Sequence, residues 1–214
     1  MAMSKIFCFA FQKTGTTSLH DFLRGAGIKS VHGLGVLNGI DYKKSLVEAG
    51  NDLNRIADAI MPFLEAYDAF CDVPFGGLYK PISERFPSAK FILITRDLDQ
   101  WWHSLSVQWS LPLLNHTLSP MERVQYSPYL GFSKPTATRH DRKVFLDAHQ
   151  QHIVSVQSHL SKFNFMTFDL GDTDKTARLA GFLNLHSPPS FPHSKPTNMR
   201  RAAGKFLRNF SRER

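Results

Sequence analysis

Lys13-Thr14-Gly15-Thr16-Thr17-Ser18 constrains this chain more than any other stretch, because of what lies on either side of it. Before it runs Ile6-Phe7-Cys8-Phe9-Ala10-Phe11, a continuous apolar segment with the pattern of a buried parallel strand. After it, Leu19, Phe22, Leu23 and Ala26 fall on one face of a helix that Gly25 and Gly27 bring to an end. A small polar turn between a buried strand and a helix N-terminus offers an anion three things: backbone N–H groups, hydroxyls and a cation. The common phosphate-binding order is G-x-x-x-x-G-K-[ST]. Here the lysine precedes the glycine and the first glycine is missing. Read without a ligand, the same residues are a Ser/Thr-rich helix start.

Further along, strands and helices alternate. Lys29 to His32 reads as a brief strand and Gly33 to Gly39 as loop. Asp52 to Tyr67 has helical spacing, with Asn51 or Asp52 as its cap and Pro62 as a kink or break. Strands are expected at 69–72, 89–95 and 165–168, and helices at 78–86, from Asp97 or Asp99 through Trp109, at 141–160 and at 173–183. Residues 111–135 lack a steady period and read as an excursion over the active face. This alternation predicts an α/β protein, a three-layer P-loop-type fold whose central, mainly parallel sheet is flanked by helices. Residues 1–194 form one domain in this reading and 195–214 a basic tail.

Ligands of parallel α/β sheets lie beyond the C-terminal ends of the strands. Three such ends carry chemistry: Lys13-Thr14, then Asp72, then Arg96 after Phe91-Ile92-Leu93-Ile94-Thr95. Ser104 follows Arg96 by about two helical turns, so that an arginine at a strand end and a helix serine can reach one phosphate. Asp72 before Val73-Pro74 also reads as a plain turn residue.

Two segments together resemble the sulfotransferases that use 3′-phosphoadenosine 5′-phosphosulfate (PAPS). One is Lys13-Thr14-Gly15-Thr16-Thr17, the other Phe86-Pro87-Ser88-Ala89-Lys90 through Arg96-Asp97 with Trp101, Trp102 and Ser104. Phe70-Cys71-Asp72-Val73-Pro74-Phe75 is similar to a smaller bacterial and fungal branch with Asp-x-Pro after this strand. The resemblance implies that Lys13 steadies charge on the bridging oxygen. It implies that Thr14, Gly15, Thr16, Thr17 and Ser18 hold the 5′-phosphate, and that Arg96 and Ser104 hold the 3′-phosphate. Asp72 is then the first candidate for the base and His32 the second. The resemblance further implies PAPS as donor, adenosine 3′,5′-bisphosphate (PAP) as product, no metal, and a small molecule or carbohydrate as acceptor. Arg200-Arg201-Ala202-Ala203-Gly204 keeps the basic pair of the family's closing motif but not its first glycine. A P-loop small-molecule kinase or triphosphatase is the alternative, though it would want Gly-Lys-Ser/Thr. A non-catalytic nucleotide- or polyanion-binding protein is another.

Charge narrows the partners. Of a net +8, Lys195 to Arg214 holds seven basic residues and one acid, so the body before it is only weakly basic. That excludes a nucleic-acid groove across the fold. No apolar run reaches the roughly 18 residues of a membrane span, and the N-terminus enters a strand directly, without a signal peptide. Cys8 and Cys71 read as reduced core residues, and the expected location is cytoplasmic. Truncation after Asn198 is expected to weaken PAP binding and leave the fold intact. An unchanged dissociation constant would make the tail a solvated appendage.

Overall fold

The computed structural model describes residues 4–193, so the 195–214 tail, with Arg200 and Arg201, lies outside the described residues. β1 (Ile6–Cys8) leads through the loop to α1 (Thr16–Gly25) and β2 (Ser30–His32). A hairpin of β3 (Val36–Leu37) and β4 (Ile40–Asp41) is followed by α2 (Tyr42–Glu48), α3 (Leu53–Ala59) and α4 (Met61–Ala66). Then come β5 (Ala69–Cys71), a 3₁₀ turn (Phe75–Leu78), α5 (Tyr79–Arg85) and β6 (Lys90–Thr95). α6 (Leu98–Trp109), β7 (His116–Thr117), α7 (Pro120–Leu130) and β8 (Thr136–Ala137) follow. α8 (Arg142–Leu160), β9 (Phe165–Asp169) and α9 (Lys175–Leu183) complete the order.

The sheet is β2-β5-β1-β6-β9, every pairing parallel, and helices flank it in the three-layer α/β arrangement expected. β1 is central, buried on both faces, which is why its residues are uniformly apolar. Phe7 stacks on Phe70 at 4.8 Å, and Phe9 on Phe91 at 5.5 Å. A buried phenylalanine of this kind is worth about 3–5 kcal/mol against alanine. Among the described residues, no helix is long and apolar enough to cross a membrane.

Three expectations need correction. The apolar run 6–11 is strand only as far as Cys8, although Phe9, Ala10 and Phe11 are fully buried. The Gly33–Gly39 stretch read as loop holds β3 of the hairpin, and α2 follows β4, capped by Asp41 on the N–H of Lys43. The 111–135 excursion contains α7, started by a reciprocal capping box between Ser119 and Glu122 with Pro120 in the first turn. Elsewhere, Asp52 caps α3, the helix breaks at Ile60 just before Pro62, and Asp97 caps α6 through the N–H of Gln100.

α7 packs on the 3₁₀ turn, and glycine makes this possible. A Cβ at Gly77 would stand 2.1 Å from the Val124 carbonyl oxygen. α7 also carries Glu122, 7% exposed, whose Oε1 accepts from Trp109 Nε1 at 2.8 Å and Gln12 Nε2 at 3.3 Å. Its Oε2 accepts from the Ser119 N–H at 2.8 Å and lies 3.1 Å from His116 Nε2. Burial alone would raise this carboxyl, but His116 and Ser119 hold it down at about 2.

Beneath the loop, α8 places two histidines in the core. His152 Nε2 donates to the Phe9 carbonyl at 2.5 Å, and its Nδ1 faces Tyr129 Oη at 3.1 Å. His149 lies 4.1 Å from the Trp101 ring. Burial pushes His149 down to about 3 and His152 to about 4. Both are therefore neutral in the fold, while the unfolded chain binds protons below about 6.5. Stability is fully present above that pH and falls as the pH drops from 6.5 towards 4, by several kcal/mol in total. Denaturant titrations at pH 7 and pH 5 should show that loss, and His149→Phe should flatten the slope. Equal stability at both pH values would contradict the assignment.

Candidate functional site

The loop's shape follows from two residues in the left-handed region, Lys13 (φ 69°) and Gly15 (φ 103°). Glycine adopts this without strain, and a Cβ at Gly15 would also meet Leu170 Cδ1 at 2.5 Å. Gly15 is the N-cap of α1 and no side chain caps this end. The first-turn N–H groups of a helix have no intrahelical acceptor, which is the arrangement that receives anions, and Thr16, Thr17 and Ser18 form that turn in α1.

Four carbonyls leading into α1 are held from outside the sheet. Besides the His152 contact to Phe9, Thr14 Oγ1 donates to Phe11 O at 2.7 Å. Trp101 Nε1 donates to Gln12 O at 2.9 Å and Arg96 Nη1 to Lys13 O at 2.9 Å. Thr14 is fully buried with its hydroxyl occupied and does not line the cleft. The other loop residues predicted from sequence, Lys13, Gly15, Thr16, Thr17 and Ser18, do line it.

The cleft has a volume of about 750 Å³ and opens over the C-terminal strand ends. His32, Asp72, Arg96 and Ser104 share it with the loop. Parallel pairing of β2 with β5 brings the first two together, since His32 is in register with Cys71. Asp72 follows at φ 74°, its side chain 17% exposed. Asp72 Oδ2 lies 3.3 Å from His32 Nδ1, and Oδ1 accepts from Thr16 Oγ1 at 3.3 Å. On the other side of the imidazole, His32 Nε2 lies 3.1 Å from Thr17 Oγ1 and 3.4 Å from Thr16 Oγ1. Burial raises the Asp72 carboxyl, against the pull of His32, Thr16 and the Val73 N–H.

Arg96 sits at the end of β6, its guanidinium lowered by burial and supported by Asp169 and Asp97. Its Nε is buried without a hydrogen-bond partner. Ser104 is 1% exposed on the α6 face that also carries Gln100 and Gln108, spaced four apart. Sequence reasoning missed Gln12, Asp169 and Lys175 in the lining. Asp169 Oδ2 accepts from Thr95 Oγ1 at 2.9 Å and Oδ1 from the Gly171 N–H at 2.8 Å. It ends β9, so the rule that found Lys13, Asp72 and Arg96 at strand ends applied to it equally. Phe191, Pro192 and His193 close one side of the cleft.

A sulfotransferase domain model matches residues 5–199. No curated protein matches the chain in sequence. Three solved structures are similar at a distance. Shikimate kinase from Bacteroides thetaiotaomicron is 14% identical with a TM-score of 0.48, over 86% of this chain and 100% of that one. Mouse sulfotransferase SULT7A1 complexed with PAP is 13% identical with a TM-score of 0.49, over 96% of this chain and 65% of that one. A sulfotransferase from Alicyclobacillus acidocaldarius is 14% identical with a TM-score of 0.48, over 98% and 93%. Likenesses so distant bear on none of the residue roles below.

Proposed function

The chain belongs to the sulfotransferase domain family, and on that footing we propose that it moves a sulfuryl group from PAPS to a hydroxyl or amine of a small-molecule or carbohydrate acceptor. One observation carries the choice of donor. The Lys13–Ser18 loop, with α1 behind it, lines the same cleft as Arg96 and Ser104. Two phosphates on one adenosine would use both groups, whereas a nucleoside diphosphate lacks the 3′-phosphate proposed for Arg96 and Ser104.

Sulfuryl transfer is an in-line displacement in which positioning and charge stabilisation do most of the catalysis. Lys13 neutralises the bridging oxygen as the S–O bond breaks. The α1 N-terminus with Thr16, Thr17 and Ser18 holds the 5′-phosphate. Arg96 and Ser104 hold the 3′-phosphate. The acceptor's proton passes to the His32–Asp72 pair. Both Asp72 oxygens already face donors, Oδ2 the His32 Nδ1–H and Oδ1 the Thr16 hydroxyl. In this reading His32 Nε2 takes the proton through the Thr17 hydroxyl 3.1 Å away, with Asp72 fixing the tautomer and balancing the imidazolium charge. It reverses the order of preference drawn from sequence. The likeness of Arg200-Arg201-Ala202-Ala203-Gly204 to the family's closing motif supports a nucleotide-binding role for Arg200 and Arg201, which lie outside the described residues.

PAP is expected to bind much more tightly than ADP, and without divalent metal. Equal or magnesium-dependent affinity for ADP in calorimetric titration would favour a kinase instead. Arg96→Ala should cost about 1.5–3 kcal/mol of PAP binding, the worth of a hydrogen bond to a charged group. Asp72→Asn preserves shape and removes basicity, so turnover should fall about 10²-fold or more while PAP affinity hardly changes. His32→Ala should match that loss. Retention of turnover by both variants would mean that no base acts from this pair.

A further inference from the structure

His32 does more in this arrangement than face the acceptor. Its Nε2 is 3.1 Å from the hydroxyl of Thr17 and 3.4 Å from that of Thr16, both in the first turn of α1. With Asp72 ionised, its Oδ2 can only accept, so His32 Nδ1 carries the hydrogen and Nε2 is left as an acceptor. The hydrogen of the Thr17 hydroxyl therefore points at Nε2 when the imidazole is neutral. The imidazole is thus one hydroxyl away from the atoms that receive the 5′-phosphate.

We propose that Thr17 and His32 form a relay in which the hydrogen bond between them reverses direction as charge appears on the 5′-phosphate, so that the proton passed to His32 through Thr17 stays there while PAP is bound. This rests on the donor reading above.

The balance is as follows. In PAPS the 5′-phosphate carries one negative charge and the sulfate another. The acceptor oxygen attacks sulfur, the bond from sulfur to the bridging oxygen breaks, and its electron pair stays on the phosphate, which gains one negative charge. The acceptor's proton moves to Thr17 Oγ1 as the Thr17 hydroxyl hydrogen moves to His32 Nε2. The imidazolium then donates through Nε2–H to Thr17 Oγ1, and the Thr17 hydroxyl donates to the phosphate. One positive charge forms on His32 as one negative charge forms on PAP, with Asp72 on the far side of the ring. Threonine suits the position because a hydroxyl accepts on one side while it donates on the other.

The groups facing His32 are consistent with this. Asp72 contributes a carboxylate from the end of β5, and Lys13 lines the same cleft. His20 of α1 lies edge-on with ring centroids 5.7 Å apart, its Nδ1 2.9 Å from Ser30 Oγ. The charge on Glu122 acts on Asp72 from behind.

The test needs no acceptor. PAP is titrated calorimetrically into the protein at pH 7 in two buffers of different ionisation enthalpy, which gives the protons taken up per nucleotide bound. The wild type should take up about half a proton or more beyond His32→Gln. Thr17→Val, which keeps the shape and removes the hydroxyl, should lose most of that difference. PAPS, whose 5′-phosphate carries one charge fewer, should give little uptake with any variant. Ring-nitrogen NMR of the wild type provides the same readout without substitution: PAP, but not PAPS, should move the His32 signals towards imidazolium. Equal proton uptake by the wild type and His32→Gln, or unmoved His32 signals, would overturn the relay and leave the donor assignment standing. Absence of PAP binding in every buffer would overturn the donor assignment, and the relay with it.

Discussion

A chain that leaves a sheet must find partners for its backbone carbonyls, and in this protein that requirement is met by side chains from several elements converging on one short segment. After Cys8 the ladder that makes β1 a strand ends, and the carbonyls of Phe9, Phe11, Gln12 and Lys13 are taken up by His152, Thr14, Trp101 and Arg96. An unpaired buried carbonyl costs on the order of 1–3 kcal/mol, so these four contacts are a substantial part of what holds the loop in one shape. They also tie the loop to α8, α6 and the end of β6. The residue proposed to grip the 3′-phosphate is therefore the one that fixes the carbonyl of Lys13, the lysine proposed to act at the sulfate.

The same segment explains where sequence reading succeeded and where it stopped. Hydrophobicity reports burial, and Phe9 to Phe11 are buried as their composition suggests. It does not report pairing, so the run looked like a longer strand. The Lys-x-Gly-Thr-Thr order and the Arg96-to-Ser104 spacing were legible because each is local, a strand end and the helix that follows it. Short α2 falls below the length at which helical periodicity is visible. α7 had a readable start in Ser119-Pro120-Met121-Glu122, but Pro128 and Gly131 argued against a helix, and its buried face is partly polar. Glu122, Gln125 and Tyr126 are core residues that no apolar stripe would reveal.

Glu122 shows how polar that interior is. Its charge is shared among Trp109, Gln12, His116 and the Ser119 N–H, and these lie on α6, the loop between β1 and α1, β7 and the helix's own start. A buried acid is expensive unless its partners are complete. Here the completed set joins the 111–137 excursion to the residue immediately before Lys13. The part of the chain that changes most in character along the sequence is thus bonded directly to the part that carries the chemistry.

The contact of Gly77 with the Val124 carbonyl bears on how this scaffold could be re-engineered. With no room for even a methyl group between them, α7 and the turn after Asp72 form one piece, and exchanging the helix for a foreign segment would displace the carboxylate along with it. Retargeting by loop replacement is therefore confined to stretches outside that piece. The β3–β4 hairpin, with Val36 and Ile40 more than half exposed, is such a stretch, and it lies outside the contact between α7 and the 3₁₀ turn.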